Sequence, residues 1–126
     1  MKEIKHEYYV SFEVAKLLKE AGFKWKCRNL YDSQDNYNGI TFTPSFENWN
    51  ISNKSDYSAP TLDVAQRWLR EVKGYELWVY PFSTHYRFSF YGYLANEDNN
   101  TNFDTYEEAL EAGIKKALEI ILEKRK

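Results

Sequence analysis

The side chains best suited to nucleophilic or acid–base chemistry are one cysteine, Cys27, and two histidines, His6 and His85. A reactive thiol needs a partly exposed, electropositive setting and a neighbouring base. Cys27 instead alternates with Phe23 and Trp25, as in a half-buried strand, so we interpret it as a core residue. The histidines are too few and too far apart to form a metal site by spacing. His85 fits a solvated turn, and these residues favour a protein without catalytic activity over an enzyme.

One loop, Asp98 to Asn102, places oxygen-bearing side chains at alternate positions, as a calcium loop does. A calcium loop also needs Gly at its sixth position and Glu at its twelfth, which here are Phe103 and Ala109. We therefore interpret it as a polar turn before a helix. The sequence has no H-E-x-x-H pattern, serine elbow, P-loop or dinucleotide-binding fingerprint. We expect no metal and no cofactor.

The strongest candidate for a functional surface is a row of aromatic and basic side chains in a predicted hairpin. Strand side chains alternate between the two faces of a sheet, so one set points to the helices and the other points away. The outward set consists of Trp78, Tyr80, Arg87, Tyr91 and Tyr93. By the same alternation, Lys24 and Lys26 of an earlier hairpin share this outer side.

Three interpretations of these outward side chains stay open. The segment 45–58, with Trp49 and Tyr57, folds over them and completes the core. Alternatively, they anchor a protein partner or a homodimer, because Tyr, Trp and Arg are favoured at interfaces. Thirdly, the outward side chains bind a small ligand, or the rings stack on bases of single-stranded nucleic acid while the cations hold phosphates. We favour a binding protein that acts through protein contact or self-association, with single-stranded nucleic acid as the alternative and a small enzyme third.

Three amphipathic segments predict the helices that position these side chains. The first follows Ser11 as N-cap and ends at Gly22, and the second begins near Pro60 and ends at Gly74. The third opens with a T-x-x-E capping box at Thr105. Its apolar positions recur at helical spacing and predict an inward face of Ala109, Leu110, Gly113, Ile114, Ala117, Leu118 and Ile121.

Alternation with a period of two predicts two hairpins between the helices. The first joins a strand that begins at Phe23 to a strand that ends at Pro44, and the second joins 75–80 to 86–94. The stretch 45–58 shows no period and is predicted to be an ordered loop. The order αββαββα predicts an α+β fold, with an antiparallel sheet of about four strands and helices packed on one face.

The whole chain, 1–126, is predicted to be a single domain. An αββ pseudo-repeat at 11–43 and 60–94, before a closing helix at 105–124, is a further hypothesis. It rests on the likeness of Leu-Leu-Lys-Glu-Ala before Gly22 to Trp-Leu-Arg-Glu-Val before Gly74. The alternative is that any amphipathic helix that enters a strand through Gly gives such a likeness.

Composition limits the class of protein further. The formal net charge of −2 argues against bulk electrostatic binding to duplex DNA or anionic membranes. No stretch approaches the roughly 20 apolar residues of a membrane span, so we expect no membrane association. The single Cys cannot form an intramolecular disulfide, and the first ten residues lack the apolar stretch of a signal peptide, which predicts a cytoplasmic protein.

The helical segments also resemble a known family. EVAKLLKEAGFKWKC, YSAPTLDVAQRWLREVKGYELWV and FDTYEEALEAGIKKALEIIL are similar to three blocks of small uncharacterised proteins from bacteriophages and mobile elements of gut Bacteroidales. The residues that match the family patterns are Ala59, Pro60, Ala65, Trp68, Leu69, Arg70 and Glu71, and then Phe103, Thr105, Tyr106, Glu107, Glu108 and Ala109. The resemblance implies a bacterial cytoplasm and a phage or integrated-element origin, and brings no activity to transfer.

Overall fold

The computed structural model describes residues 8–32, 41–52, 56–92, 96–98 and 101–124. The chain divides into two compact units, Met1–Thr61 and Leu62–Lys126. Each unit combines helices with a three-stranded antiparallel sheet, which confirms the α+β class. The four strands of the predicted hairpins are present, but the prediction that they share one sheet is wrong. The two hairpins belong to separate sheets, and each sheet gains a third strand.

The first unit begins with helix α1, Phe12–Ala21, as predicted. Ser11 caps it, since the Ser11 Oγ accepts a hydrogen bond from the Val14 N–H at 3.2 Å, and Gly22 ends it in the left-handed conformation. Strand β1, Cys27–Asp32, lies between β2, Thr41–Glu47, and β3, Asp56–Ser58. A one-turn helix, α2, Trp49–Ser52, precedes β3.

This unit departs from the sequence prediction in its strand ends and in its supposed loop. Pairing in β1 begins at Cys27 rather than at Phe23, and β2 continues through Pro44. A proline is tolerated there because β2 is an edge strand. The described residues of the 45–58 segment, 45–52 and 56–58, do not form the predicted loop: they complete β2 and form α2 and β3. The Trp49 Nε1 donates a hydrogen bond to the Cys27 carbonyl at 2.7 Å, which fastens α2 to β1.

The second unit contains the other predicted helices. Helix α3, Leu62–Trp68, continues as a π-helical turn, Leu69–Lys73, and stops at Gly74. Strands β4, Glu76–Phe82, β5, His85–Tyr91, and β6, Asn96–Asp98, pair in that order. Helix α4, Tyr106–Lys124, closes the unit.

The capping box predicted at the start of α4 is present in modified form. The Glu108 N–H donates to the Thr105 Oγ1 at 3.0 Å, as expected for an N-cap. The return bond differs, because the Glu108 carboxylate accepts from the Asp104 N–H at 3.2 Å rather than from the N-cap residue itself.

Helix α4 packs against one face of the β4–β5 hairpin. Its predicted inward positions are all buried. At Gly113 the approach is so close that an added Cβ would lie 2.7 Å from the Leu77 Cδ1 and 3.0 Å from the Phe88 Cγ. Leu77, Phe88 and Phe90 are also buried. This hairpin therefore has an inner face toward α4 and an opposite, outer face.

Both units open with a helix and a hairpin, but they add the third strand differently. In the first unit β3 pairs with β1, the earlier strand of the hairpin, whereas in the second unit β6 pairs with β5, the later strand. The two units share the αββ order of the pseudo-repeat. They do not share sheet topology, because the third strand pairs with a different strand of the hairpin in each unit. A duplication origin and a single cooperative domain stay predictions.

Candidate functional site

The register of the β4–β5 hairpin determines which side chains share its outer face. Residues directly opposite each other in an antiparallel pair lie on the same face. The pairs Leu77–Phe90 and Val79–Phe88 form the inner face. The alternating pairs form the outer face, which comprises Glu76, Trp78, Tyr80, Phe82, His85, Arg87, Ser89 and Tyr91.

Three large aromatic side chains of the outer face are exposed. Trp78 and Phe82 are each 44% exposed and Tyr91 is 64% exposed, whereas Phe88 and Phe90 on the inner face are at most 2% exposed. Scattered exposed rings are ordinary, but a cluster on one sheet face is typical of an interaction site.

Arg87 is held in place on this face. Its Cζ lies 3.5 Å from the centroid of the Phe82 ring, close enough for a cation–π contact. Its Nε donates a hydrogen bond to the Asn102 Oδ1 at 2.8 Å. Stacking and this bond orient the guanidinium before any partner binds. Such a fork of N–H donors suits a carboxylate.

The structure brings together four of the predicted site residues: Trp78, Tyr80, Arg87 and Tyr91. Tyr93 lies outside the described residues. Lys24 and Lys26 are exposed in the first unit, in a segment that precedes β1. The prediction that both lysines share the outer face with the rings assumed one continuous sheet, but the strands form two separate sheets. The alternation of side chains therefore no longer supports a role for the lysines at this surface, and that role stays a prediction.

Sequence reasoning missed Phe82 and His85 as members of the outer face. The predicted hairpin joins 75–80 to 86–94, so its first strand ends before Phe82 and its second begins after His85. The hairpin instead turns tightly at Ser83 and Thr84, and Phe82 pairs with His85. The signal was present, because Phe82 continues the spacing of two from Trp78 and Tyr80.

Cys27 is buried, as the sequence predicted, with its Sγ donating to the Asn29 carbonyl at 3.3 Å. Burial raises the pKa of the thiol, because removal from water disfavours the thiolate more than its hydrogen bonds favour it. The neighbouring Lys26 and Arg28 are exposed. This is the environment of an unreactive core cysteine.

We expect Cys27 in the folded protein to react with a thiol reagent at pH 8 about 100-fold more slowly than after denaturation, because attack requires opening of the core. Because the thiol pKa is higher in the folded state, its contribution to stability is complete below the pKa of the unfolded thiol, about 8.5. The contribution is lost as the pH rises through the pKa of the folded thiol. Cys27→Ala should therefore lose less unfolding free energy than wild type as the pH is raised above about 8.5. Equal reaction rates in both states would contradict a buried thiol.

His85 forms a surface contact rather than a catalytic pair. Its Nε2 lies 3.7 Å from the Asp104 Oδ1, and its Nδ1 lies 3.1 Å from the Thr84 Oγ1. The side chains of His85 and Asp104 are 40% and 85% exposed, so water screens their attraction. Across the described ranges, no group of three or more His, Cys, Asp or Glu side chains is placed to hold a metal ion.

Comparisons with protein-family models, with curated proteins and with solved structures gave no match to this chain. The resemblance to the Bacteroidales phage family therefore stays a prediction. Within the part of the chain that the structure describes, no helix is long and apolar enough to cross a membrane.

Proposed function

We propose that this chain is a non-catalytic binding protein whose outer face contacts another protein chain. The observation that carries the proposal is that exposed Trp78, Phe82 and Tyr91 share one sheet face with Arg87, which is oriented by Phe82 and Asn102. Aromatic and Arg side chains are the residue types that anchor protein interfaces. Removing apolar surface from water contributes about 25 cal/mol per Å², which favours covering these rings.

The charges of the outer face favour a protein over nucleic acid. Among its described residues, Arg87 is the one Lys or Arg, and Glu76 adds an opposing carboxylate. Single-stranded nucleic acid binds to grooves with several cations along the backbone. The phage or mobile-element context of the proposal rests on the family resemblance, and the cytoplasmic location rests on that resemblance and on the single cysteine.

The combined substitution Trp78→Ala with Tyr91→Ala should abolish association while lowering the free energy of unfolding by about 2 kcal/mol or less, well below the cost of a core substitution, because much of both side chains is exposed. Val72→Ala is the matched control, since Val72 is 50% exposed but lies on the π-helical turn. Light scattering, with and without a mixed-sequence single-stranded oligonucleotide, measures association, and urea unfolding measures stability.

Two results would overturn this proposal. A loss of stability as large as that of a core substitution would show that the two rings are covered in the free protein. Salt-sensitive binding to the oligonucleotide that disappears in the double variant would assign the outer face to nucleic acid instead.

A further inference from the structure

We propose that the outer face binds a second copy of this chain across a two-fold axis, so that Glu76 of one copy meets Arg87 of the other. This inference rests on the proposed function, because it names the partner of the same surface. The positions of the two charges, the blocked edge of β4 and the available area support it.

The carboxylate of Glu76 and the guanidinium of Arg87 belong to rows of the outer face that lie on either side of Trp78. Glu76 pairs with Tyr91 at one end, and Arg87 pairs with Tyr80 four residues further along β4. At about 3.3 Å per residue, the two rows are roughly 13 Å apart. The Trp78–Ser89 pair lies midway between them. Along the strands, the face therefore carries an acid, a ring and a base in that order, followed by the Phe82–His85 row.

This order is self-complementary in one orientation of two stacked sheets. A two-fold interface pairs residue i with residue j and residue j with residue i. The two-fold axis lies between the two sheets, perpendicular to the strands and at the level of the Trp78–Ser89 row. Trp78 of one copy then lies over Trp78 of the other. Each Glu76–Tyr91 row then faces an Arg87 row, so the oriented guanidinium meets both a carboxylate and a ring. Charge complementarity is thus satisfied twice in one dimer.

The edge of β4 makes strand-to-strand pairing a poor alternative. Alternate strand residues direct their backbone groups to the same side, so Leu77, Val79 and Pro81 share the edge that points away from β5. The Leu77 carbonyl already accepts a hydrogen bond from the Gln66 Nε2 at 2.7 Å. Pro81 has no N–H to offer. The bonded Leu77 carbonyl and the missing N–H of Pro81 both disfavour pairing of a second strand with the edge of β4. The outer face is therefore the surface left for self-association.

The area of the outer face is sufficient for a weak dimer. With exposures of 44% and 64%, the rings of Trp78 and Tyr91, whose rows face the other copy, offer about 200 Å² in each copy. With the other side chains of the facing rows, a dimer buries somewhat less than about 1,000 Å², which is the size of a weak, transient interface. We expect dissociation in the micromolar range or weaker, so the measurement should extend from about 1 μM to 1 mM.

Charge reversal tests this arrangement. Glu76→Arg alone and Arg87→Glu alone each place like charges together twice, so each should weaken self-association about tenfold or more. An equimolar mixture of the two variants should recover wild-type affinity as a heterodimer, and Glu76→Arg with Arg87→Glu in one chain should recover it as a homodimer. Sedimentation equilibrium measures the masses, and circular dichroism verifies that each variant is folded.

Glu123→Arg and Lys124→Glu are matched controls, because they change the net charge equally at exposed positions near the end of α4. They should leave self-association unchanged. A wild-type protein that stays monomeric over that whole concentration range would overturn the second-copy proposal. Different results overturn the proposed function: a loss of stability in Trp78→Ala with Tyr91→Ala as large as that of a core substitution, or salt-sensitive oligonucleotide binding that disappears in this double variant. The two-fold arrangement would be overturned if Glu76→Arg and Arg87→Glu each left the affinity of the dimer unchanged. It would also be overturned if the equimolar mixture of the two variants stayed monomeric.

Discussion

Phe88→Ala is expected to lower the free energy of unfolding by about 3–5 kcal/mol, because it leaves a cavity that the surrounding core cannot fill. The Phe88 side chain is 2% exposed and lies on the inner face of β5. Its ring stacks on Phe90 at 6.3 Å between centroids and lies 6.1 Å from Phe103. Gly113 of α4 approaches the same ring. Urea unfolding followed by far-UV circular dichroism measures the effect.

Tyr91→Ala on the same strand is the control for this prediction. It removes another aromatic ring from β5, but Tyr91 is on the outer face and 64% exposed, so the expected loss is below about 1 kcal/mol. The contrast between the two substitutions tests the assignment of inner and outer faces. Similar losses for both would mean that the outer face is covered in the free protein.

Signals that lie close together in the chain predicted the helices well. Ser11 and Gly22 mark the ends of α1, and Thr105 marks the start of α4, because caps act on backbone groups within one turn. Alternation also separated the inner residues of β4 and β5 from the outer ones, since side-chain direction depends only on position along a strand. These are local properties, and a single sequence contains them.

Local sequence signals could not predict which strands pair with each other. β3 and β6 have three residues each, too few to show a period, and they complete the sheets by pairing with neighbouring strands that no local pattern specifies. The sequence predicts a strand end at Pro44, because proline is rare inside sheets. β2 continues through Pro44 because it is an edge strand, and its edge position depends on the strand order, which no local pattern specifies. The role predicted for Lys24 and Lys26 was argued from a single sheet, so the error in strand order also removed the support for that part of the candidate site.

Gly92→Ala is expected to destabilise the protein by about 2–3 kcal/mol through overpacking, even though one methyl group is added. A Cβ at Gly92 would lie 2.4 Å from the Tyr75 Cδ2, with two further atoms of that ring within 2.7 Å. The Tyr75 ring cannot move aside easily, because it is 1% exposed and packs edge-on against Phe90 at 5.8 Å. Gly92 has no positive φ, so the expected cost arises from this contact rather than from the backbone.

A double-mutant cycle separates that contact from other effects of the substitution. Tyr75→Leu keeps an apolar side chain but removes the ring that Gly92→Ala would meet. In the Tyr75→Leu background, the added methyl group should therefore cost less than about 1 kcal/mol, and the two substitutions should be strongly non-additive. Unfolding of the four proteins in urea gives the coupling energy. Additive losses would show that Gly92 is required for a reason other than the close approach of Tyr75.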